Sequence, residues 1–258
     1  MSTATVPASI DLSGTPRIGF GTLLRVELRK FFDTRASRWL LIAIALITAA
    51  IVVIFFLAAD TRDRTFANFI NAAGGLQSYL LPVLGIMLVT SEWTQRTALT
   101  TFTLVPSRSQ VIFAKVVASV LVGIGAVLLA FVVAGIGTAL GGADQAWTGI
   151  GVDDLAKFGL LETLGVLEGL AFGLLFLNSA AAIVTYLVLP IAFSIVANVW
   201  GALSKAAPWI DLGTAQTPFQ VGDSVSGTEW AHLASASAIW VLLPFVLGLV
   251  RVLRAEVK

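Results

Sequence analysis

Long apolar stretches separated by short polar ones set the pattern of this chain. From Trp39 to Ala59 it runs 21 residues without a charge, and a helix needs roughly 20 apolar residues to cross a hydrocarbon core about 30 Å thick. Further stretches of this kind cover 72–90, 116–140, 155–177, 180–200 and 233–250, each ending at charges, glycine clusters or tryptophan. The pattern predicts an all-α membrane protein with six transmembrane helices, the first over 39–59. Gly74, Gly75, Gln77 and Ser78 dilute the second span, and the fourth carries Glu162 and Glu168 in an otherwise apolar run. Runs such as Leu40-Leu41-Ile42-Ala43-Ile44-Ala45-Leu46-Ile47 are apolar on every side, unlike the alternating strands of a membrane β-barrel.

Ahead of the first span, residues 1–16 read as a disordered cytoplasmic tail, and 17–258 as one six-helix domain. The first 38 residues hold no early apolar core with a small-residue cleavage site, so the first span is expected to act as its own insertion signal. Phe20, Leu24, Leu28 and Phe31 recur at helical spacing while Arg25, Arg29 and Lys30 occupy other faces. That spacing predicts an amphipathic elbow helix in the headgroup layer, with Trp39 anchoring the turn into the bilayer. The plainer reading is a flank whose basic residues only enforce topology.

Composition agrees with the spans: 57% of residues are hydrophobic and 12% charged, with a mean hydropathy of +0.93, where soluble domains carry roughly 25% charged residues. With both termini on one side, that side holds Arg17, Arg25, Arg29, Lys30, Arg35, Arg38, Arg96, Arg108, Lys115, Arg251, Arg254 and Lys258, and the other Arg62, Arg64, Lys157 and Lys205. Basic residues resist translocation, so the termini are expected in the cytoplasm and the protein in a cytoplasmic (inner) membrane. The net charge of +1 is spent on topology rather than gathered into a basic stripe, which argues against nucleic-acid binding. Without cysteine the chain forms no disulfide and no thiolate metal site.

Catalytic patterns are sparse. One histidine, His232, stands alone, there is no HExxH or GxSxG, and Asp153-Asp154 read as N-terminal caps of the fourth span. We expect a non-enzyme with no metal or cofactor of its own. No GxxxxGK[ST] loop occurs either, so nucleotide-driven work is expected from another subunit. Gly165, Gly169 and Gly173, at four-residue steps, form a stripe along which another helix can approach closely. Glu162 lies on that stripe, about 700° of helix from Gly169, and Glu168 points about 100° away from Gly169. A carboxylate inside a membrane marks a proton or cation site, or serves as hydrogen-bonding glue between helices; the residues alone leave both open.

Between spans two and three lies the one long polar island, Ser91 to Lys115. Set in so apolar a chain, it is expected to be a docking surface for a soluble partner. Its first part, Ser91-Glu92-Trp93-Thr94-Gln95-Arg96-Thr97-Ala98-Leu99-Thr100-Thr101, resembles the Glu-led stretch that follows span two in the permease subunits of type-2 ABC exporters. Its second part, Val105-Pro106-Ser107-Arg108-Ser109-Gln110-Val111-Ile112-Phe113-Ala114-Lys115, is similar to that family's Pro-Ser-Arg...Lys approach to span three. Ala171 to Ile183 resembles the family's turn between spans four and five, although Phe176-Leu177 stand where many relatives have a basic residue, and Arg251 to Val257 looks like the family's short basic tail.

The resemblance covers about Phe20 to Lys258 and rests on the order of individually degenerate motifs. It implies that 91–115 is a cytoplasmic coupling loop seated on an ABC ATPase subunit, with Glu92, Arg96, Pro106, Arg108 and Lys115 as coupling residues and ATP and Mg bound by the partner. It also implies a dimer, with a second permease copy or a related permease enclosing a path through the lipid bilayer, and short helices over 201–232 capping that path. Taken singly, Glu92 also reads as an N-cap, Pro106 as a loop breaker and Arg108 as a topology charge. Two other classes remain beside the exporter: a proton-coupled secondary transporter using Glu168, and a non-transporting membrane anchor or sensor. A mostly apolar bundle suits an amphiphile, a lipid or a hydrophobic drug better than a small ion.

Overall fold

A computed structural model describes residues 18–105, 107–220 and 224–255. The tail expected over 1–16, Arg17, Pro106 and the last residues 256–258 lie outside them. The described residues are helical throughout, with no strand. Two helices precede the first interhelical loop: α1 Phe20–Asp33 and α2 Arg35–Ala58. Then come α3 Phe66–Thr94, the short α4 Ala98–Leu104, and α5 Arg108–Gly141. After them follow α6 Val152–Phe176, α7 Ser179–Val199, α8 Gly201–Ile210 and α9 Leu212–Gln216. The last helix, α10 Gly227–Arg254, is continuous through a π turn at Ala238–Leu242.

Six of these helices, α2, α3, α5, α6, α7 and α10, are long and apolar enough to cross a membrane. Burial separates them. In α3 and α6 more than half of the apolar window is covered by protein, 56% and 61%, against 17% in α2 and 6% in α7. Helices α3 and α6, the most enclosed, are therefore the centre of the bundle, and α2 and α7, the least enclosed, belong to its wall. That division follows from solvent: an outward face touching acyl chains must be apolar, whereas inward polar groups find partners. Gln77 of α3 donates to Thr48 Oγ1 of α2 at 3.0 Å and to the Ala126 carbonyl of α5 at 3.4 Å, tying three helices at one level.

At α3–α6 the chain spends its glycines. A Cβ on Gly169 would collide with the Pro82 backbone, one on Gly173 would lie 3.1 Å from the Ile86 carbonyl, and one on Gly165 would only touch the Pro82 ring at 3.4 Å. Gly85 of α3 is as close to the Val166 carbonyl from the other side. Both backbones therefore approach through small residues, as helices without a hydrophobic driving force between them require. Pro82 has no N–H, which frees the carbonyl of Ser78 one turn earlier. The hydroxyl of Tyr186 on α7 fills that gap, donating to Ser78 O at 2.9 Å.

The ends of the bundle are distinct. The α2–α3 connection meets the α5–α6 connection, where Phe66 N–H donates to the Ala146 carbonyl at 2.9 Å and Phe66 stacks on Trp147 at 5.3 Å. At the opposite end α1 and α4 gather around the ends of α3, α5 and α10.

Of the expected amphipathic face of α1, Phe31 is buried and Leu24 and Leu28 pack half-buried on the core, with Leu23 and Glu27 buried beside them, while Phe20 stays 40% exposed and rests on Phe113 with ring centroids 5.4 Å apart. The stretch 91–115, expected as a coupling loop between spans ending at 90 and starting at 116, is largely helical. Helix α3 runs on to Thr94 and α5 starts at Arg108, so Glu92 lies in the last turn of one helix and Lys115 two turns into the other. Hydropathy finds where a helix crosses hydrocarbon, not where it ends, and here the polar ends stay helical because their charges are paired.

Candidate functional site

Four charges meet where α1, α3 and α5 converge. Lys115 Nζ lies 2.8 Å from Glu27 Oε2 and 3.1 Å from Glu92 Oε1. Lys30 Nζ lies 2.6 Å from Glu27 Oε1 and also pairs with Glu92. Side-chain exposure is 2% for Lys115, 3% for Glu27, 5% for Glu92 and 25% for Lys30, so the group is a buried square of alternating charge with one corner at the surface. An ammonium has three N–H donors. Lys115 directs them at Glu27, Glu92 and the Leu88 carbonyl at 3.3 Å, and Thr101 of α4 donates to Glu92 Oε1 at 3.3 Å. Burying charges this deeply is tolerated only when each is paired and hydrogen-bonded, and here all four are.

Turn chemistry sets α4 beside this square. Arg96 adopts φ 57°, the left-handed conformation that usually falls to glycine after a helix, and Thr97 N–H then donates back to the Glu92 carbonyl at 2.8 Å. Arg96, Leu99, Thr103 and Leu104 face outward, with Leu99 48% and Leu104 67% exposed. Arg108 points elsewhere. Its Nη1 donates to the carbonyls of Val252 at 2.7 Å and Ala255 at 2.8 Å, and its guanidinium lies 5.1 Å from the Phe102 ring. A cation is poorly placed at the N-terminus of its own helix and well placed at the C-terminus of another, and Arg108 meets the second condition at the end of α10. Arg251 donates in turn to the Leu175 carbonyl at the end of α6.

Of the five residues expected to contact a soluble partner, then, Arg96 is exposed, Arg108 half-buried, Glu92 and Lys115 enclosed, and Pro106 outside the described residues. Sequence reading missed Glu27 and Lys30 as members of the square and Thr101 as the donor that joins α4 to it. The available signal was an acid at four-residue spacing from Leu23 and Phe31, which places Glu27 on their buried stripe.

The second candidate lies between α3, α6, α7 and the α8–α9 segment, toward the opposite end of the bundle. A cavity of about 760 Å³ is walled by Glu162, Glu168 and Asp211 together with Tyr79, Phe158, Tyr186, Phe219 and Trp240. Glu162 and Glu168 are 4% and 7% exposed, and Glu162 Oε2 has no hydrogen-bond partner. Asp211 caps α9, accepting from Thr214 N–H at 2.9 Å and from Thr214 Oγ1 at 2.6 Å, and stands within electrostatic reach of Glu168. Among the described residues no Lys, Arg or His lines the cavity. Lys157, on the same helix as the glutamates, pairs with Asp154 at 2.8 Å, and Asp154 Oδ2 accepts from Gly151 N–H at 2.9 Å to cap α6.

Within 201–232 the described residues form α8, α9, a short 3-10 turn at Thr217–Phe219 and the start of α10, and residues between 211 and 220 line this cavity. Trp240 Nε1 donates to the Ile210 carbonyl at 2.7 Å and Ser235 Oγ to the Trp209 carbonyl at 2.7 Å, fastening α8 to α10. His232 sits edge-on to Trp209, ring centroids 4.3 Å apart, as a packing residue there. No protein-family description and no curated protein sequence matches this chain.

Proposed function

We propose that this chain is the transmembrane subunit of an ATP-driven exporter, powered by a separate ATP-binding-cassette subunit that docks at the end formed by α1 and α4. The observation that carries the reading is the square of Glu27, Lys30, Glu92 and Lys115 beneath the exposed α4. A docking surface does work on a bundle only if it is fixed to the helices that move. Here α4 presents Arg96, Leu99 and Leu104 outward while Thr101 joins it to Glu92 of the central helix α3. Push on α4 and the displacement reaches α3, α5 and α1 through buried charge pairs that cannot part cheaply.

In this reading Arg96 and α4 contact the ATPase, Arg108 locks the docking end to α10, and Glu92 and Lys115 transmit motion from inside. α1 serves as the elbow, both termini lie in the cytoplasm of the cell that houses this membrane, and a second copy or a related permease completes the path. ATP and Mg belong to the partner. The test is reconstitution with a co-expressed ATP-binding-cassette subunit. Arg96→Glu and Leu104→Glu are expected to lower co-purification and transport-coupled ATP hydrolysis at least about tenfold, with the variants inserted and melting like the parent. Unchanged coupling in both removes α4 as the contact. Flux that needs no ATP, follows a proton gradient and is lost in Glu168→Gln would replace the exporter by a secondary transporter.

A further inference from the structure

We infer that the cavity between α3, α6 and α7 binds a lipophilic organic cation. Three carboxylates, Glu162, Glu168 and Asp211, stand in its wall, and among the described residues no basic side chain does. One oxygen of Glu162 is buried with no hydrogen-bond partner at all. A carboxylate removed from water is costly to ionise until a positive charge arrives, and among the described residues none stands in this wall, so a cationic ligand would supply the charge that balances these acids. Among the described residues no three His, Cys, Asp or Glu side chains converge on a metal-ion geometry. The acids instead surround a space of about 760 Å³, within the range of pockets that enclose drug-sized molecules.

The rest of the wall fits the same class. Tyr79, Tyr186, Phe158, Phe219 and Trp240 offer ring surface to an apolar body whose charge is spread over several carbons, and a cation over a ring face gains further attraction. A small hydrated ion would find no such use for five rings. Glu168 and Asp211 lie together while Glu162 sits about two turns of α6 away, so the negative potential spans the cavity and suits a delocalised charge better than a point one. As the cargo of the exporter proposed above, this ligand class rests on that reading; binding itself requires neither ATP nor a partner.

The experiment uses the purified full chain in lipid nanodiscs, without ATPase, and measures equilibrium binding of tetraphenylphosphonium and of tetraphenylborate, which match in size and apolarity and differ in charge sign. Saturable binding of the cation alone is expected, weakened at least about tenfold by Glu168→Gln and by Glu162→Gln. Gly75 lines the cavity, and nothing lies within 4 Å of where its Cβ would be. Gly75→Trp therefore fills the space while leaving every carboxylate in place, and is expected to abolish binding with the melting temperature unchanged. Equal binding of both ions, no saturable binding of the cation, or full binding in Gly75→Trp overturns the inference. Cation binding without any ATPase association defeats only the exporter reading, and ATP-coupled export without cation binding defeats only this one.

Discussion

Lys115 keeps an ammonium in place with 2% of its side chain exposed because every donor has an acceptor: two carboxylates and the Leu88 carbonyl. Removing it leaves Glu27 and Glu92 to share Lys30, which is itself 25% exposed and partly hydrated. Lys115→Met is therefore expected to cost about 3–5 kcal/mol, the usual penalty of breaking a buried pair from one side. Lys30→Met should cost clearly less. Adding Glu27→Gln to Lys115→Met restores charge balance between Lys30 and Glu92, so the double variant should be more stable than the single one. Thermal unfolding of the four proteins in one detergent reads the order, and additive losses would show that the square does not act as a unit. Tyr186→Phe is a smaller case: it strands the carbonyl that Pro82 leaves open at Ser78, for a loss of about 1 kcal/mol.

Between elements, the contact most sensitive to a single methyl is α3–α6. At Gly169 a Cβ meets the Pro82 backbone, which cannot move aside, while at Gly165 it meets only the ring edge at 3.4 Å. Gly169→Ala should thus cost about 1–3 kcal/mol as overpacking, and Gly165→Ala close to nothing; unfolding midpoints of the two variants measure the difference. Helices and their close-packing residues were legible because both leave periodic marks: unbroken apolar runs, and glycines at four-residue steps in 165–173. What stayed hidden depends on partners far along the chain. That Ser91-Glu92-Trp93 and Ser109 to Lys115 are helix rather than loop follows from Glu92 meeting Glu27's partners, 62 residues from Lys30. Likewise α1 buries Glu27 beside Leu23 and Phe31 because Lys115, 88 residues away, neutralises it, which the apolar spacing of Phe20, Leu24, Leu28 and Phe31 does not show. Asp211 joined the glutamates only once α8 and α9 folded over the cavity, which no local pattern in 201–232 foretells.

Across the whole molecule the two candidate sites are the two ends of the same central helix. α3 starts at the cavity, with Gly75, Ser78 and Tyr79 in its wall, and ends in the charge square at Glu92; Pro82 and the α6 glycines lie between. In the proposed exporter, a rigid pivot there would turn a shift of α4 at one end into a change of cavity shape at the other. Such coupling requires the two ends to face opposite sides of the membrane, and the absence of native cysteine makes that directly measurable. Thr103 is exposed on α4, and Thr148 is exposed in the α5–α6 connection. With six spans of alternating direction and the basic residues concentrated at the α1–α4 end, a membrane-impermeant maleimide should label Thr148→Cys but not Thr103→Cys in intact cells, and the reverse in inverted vesicles. If both variants label from one side, the docking end and the cavity share a compartment, and α3 cannot carry a signal from one side of the membrane to the other.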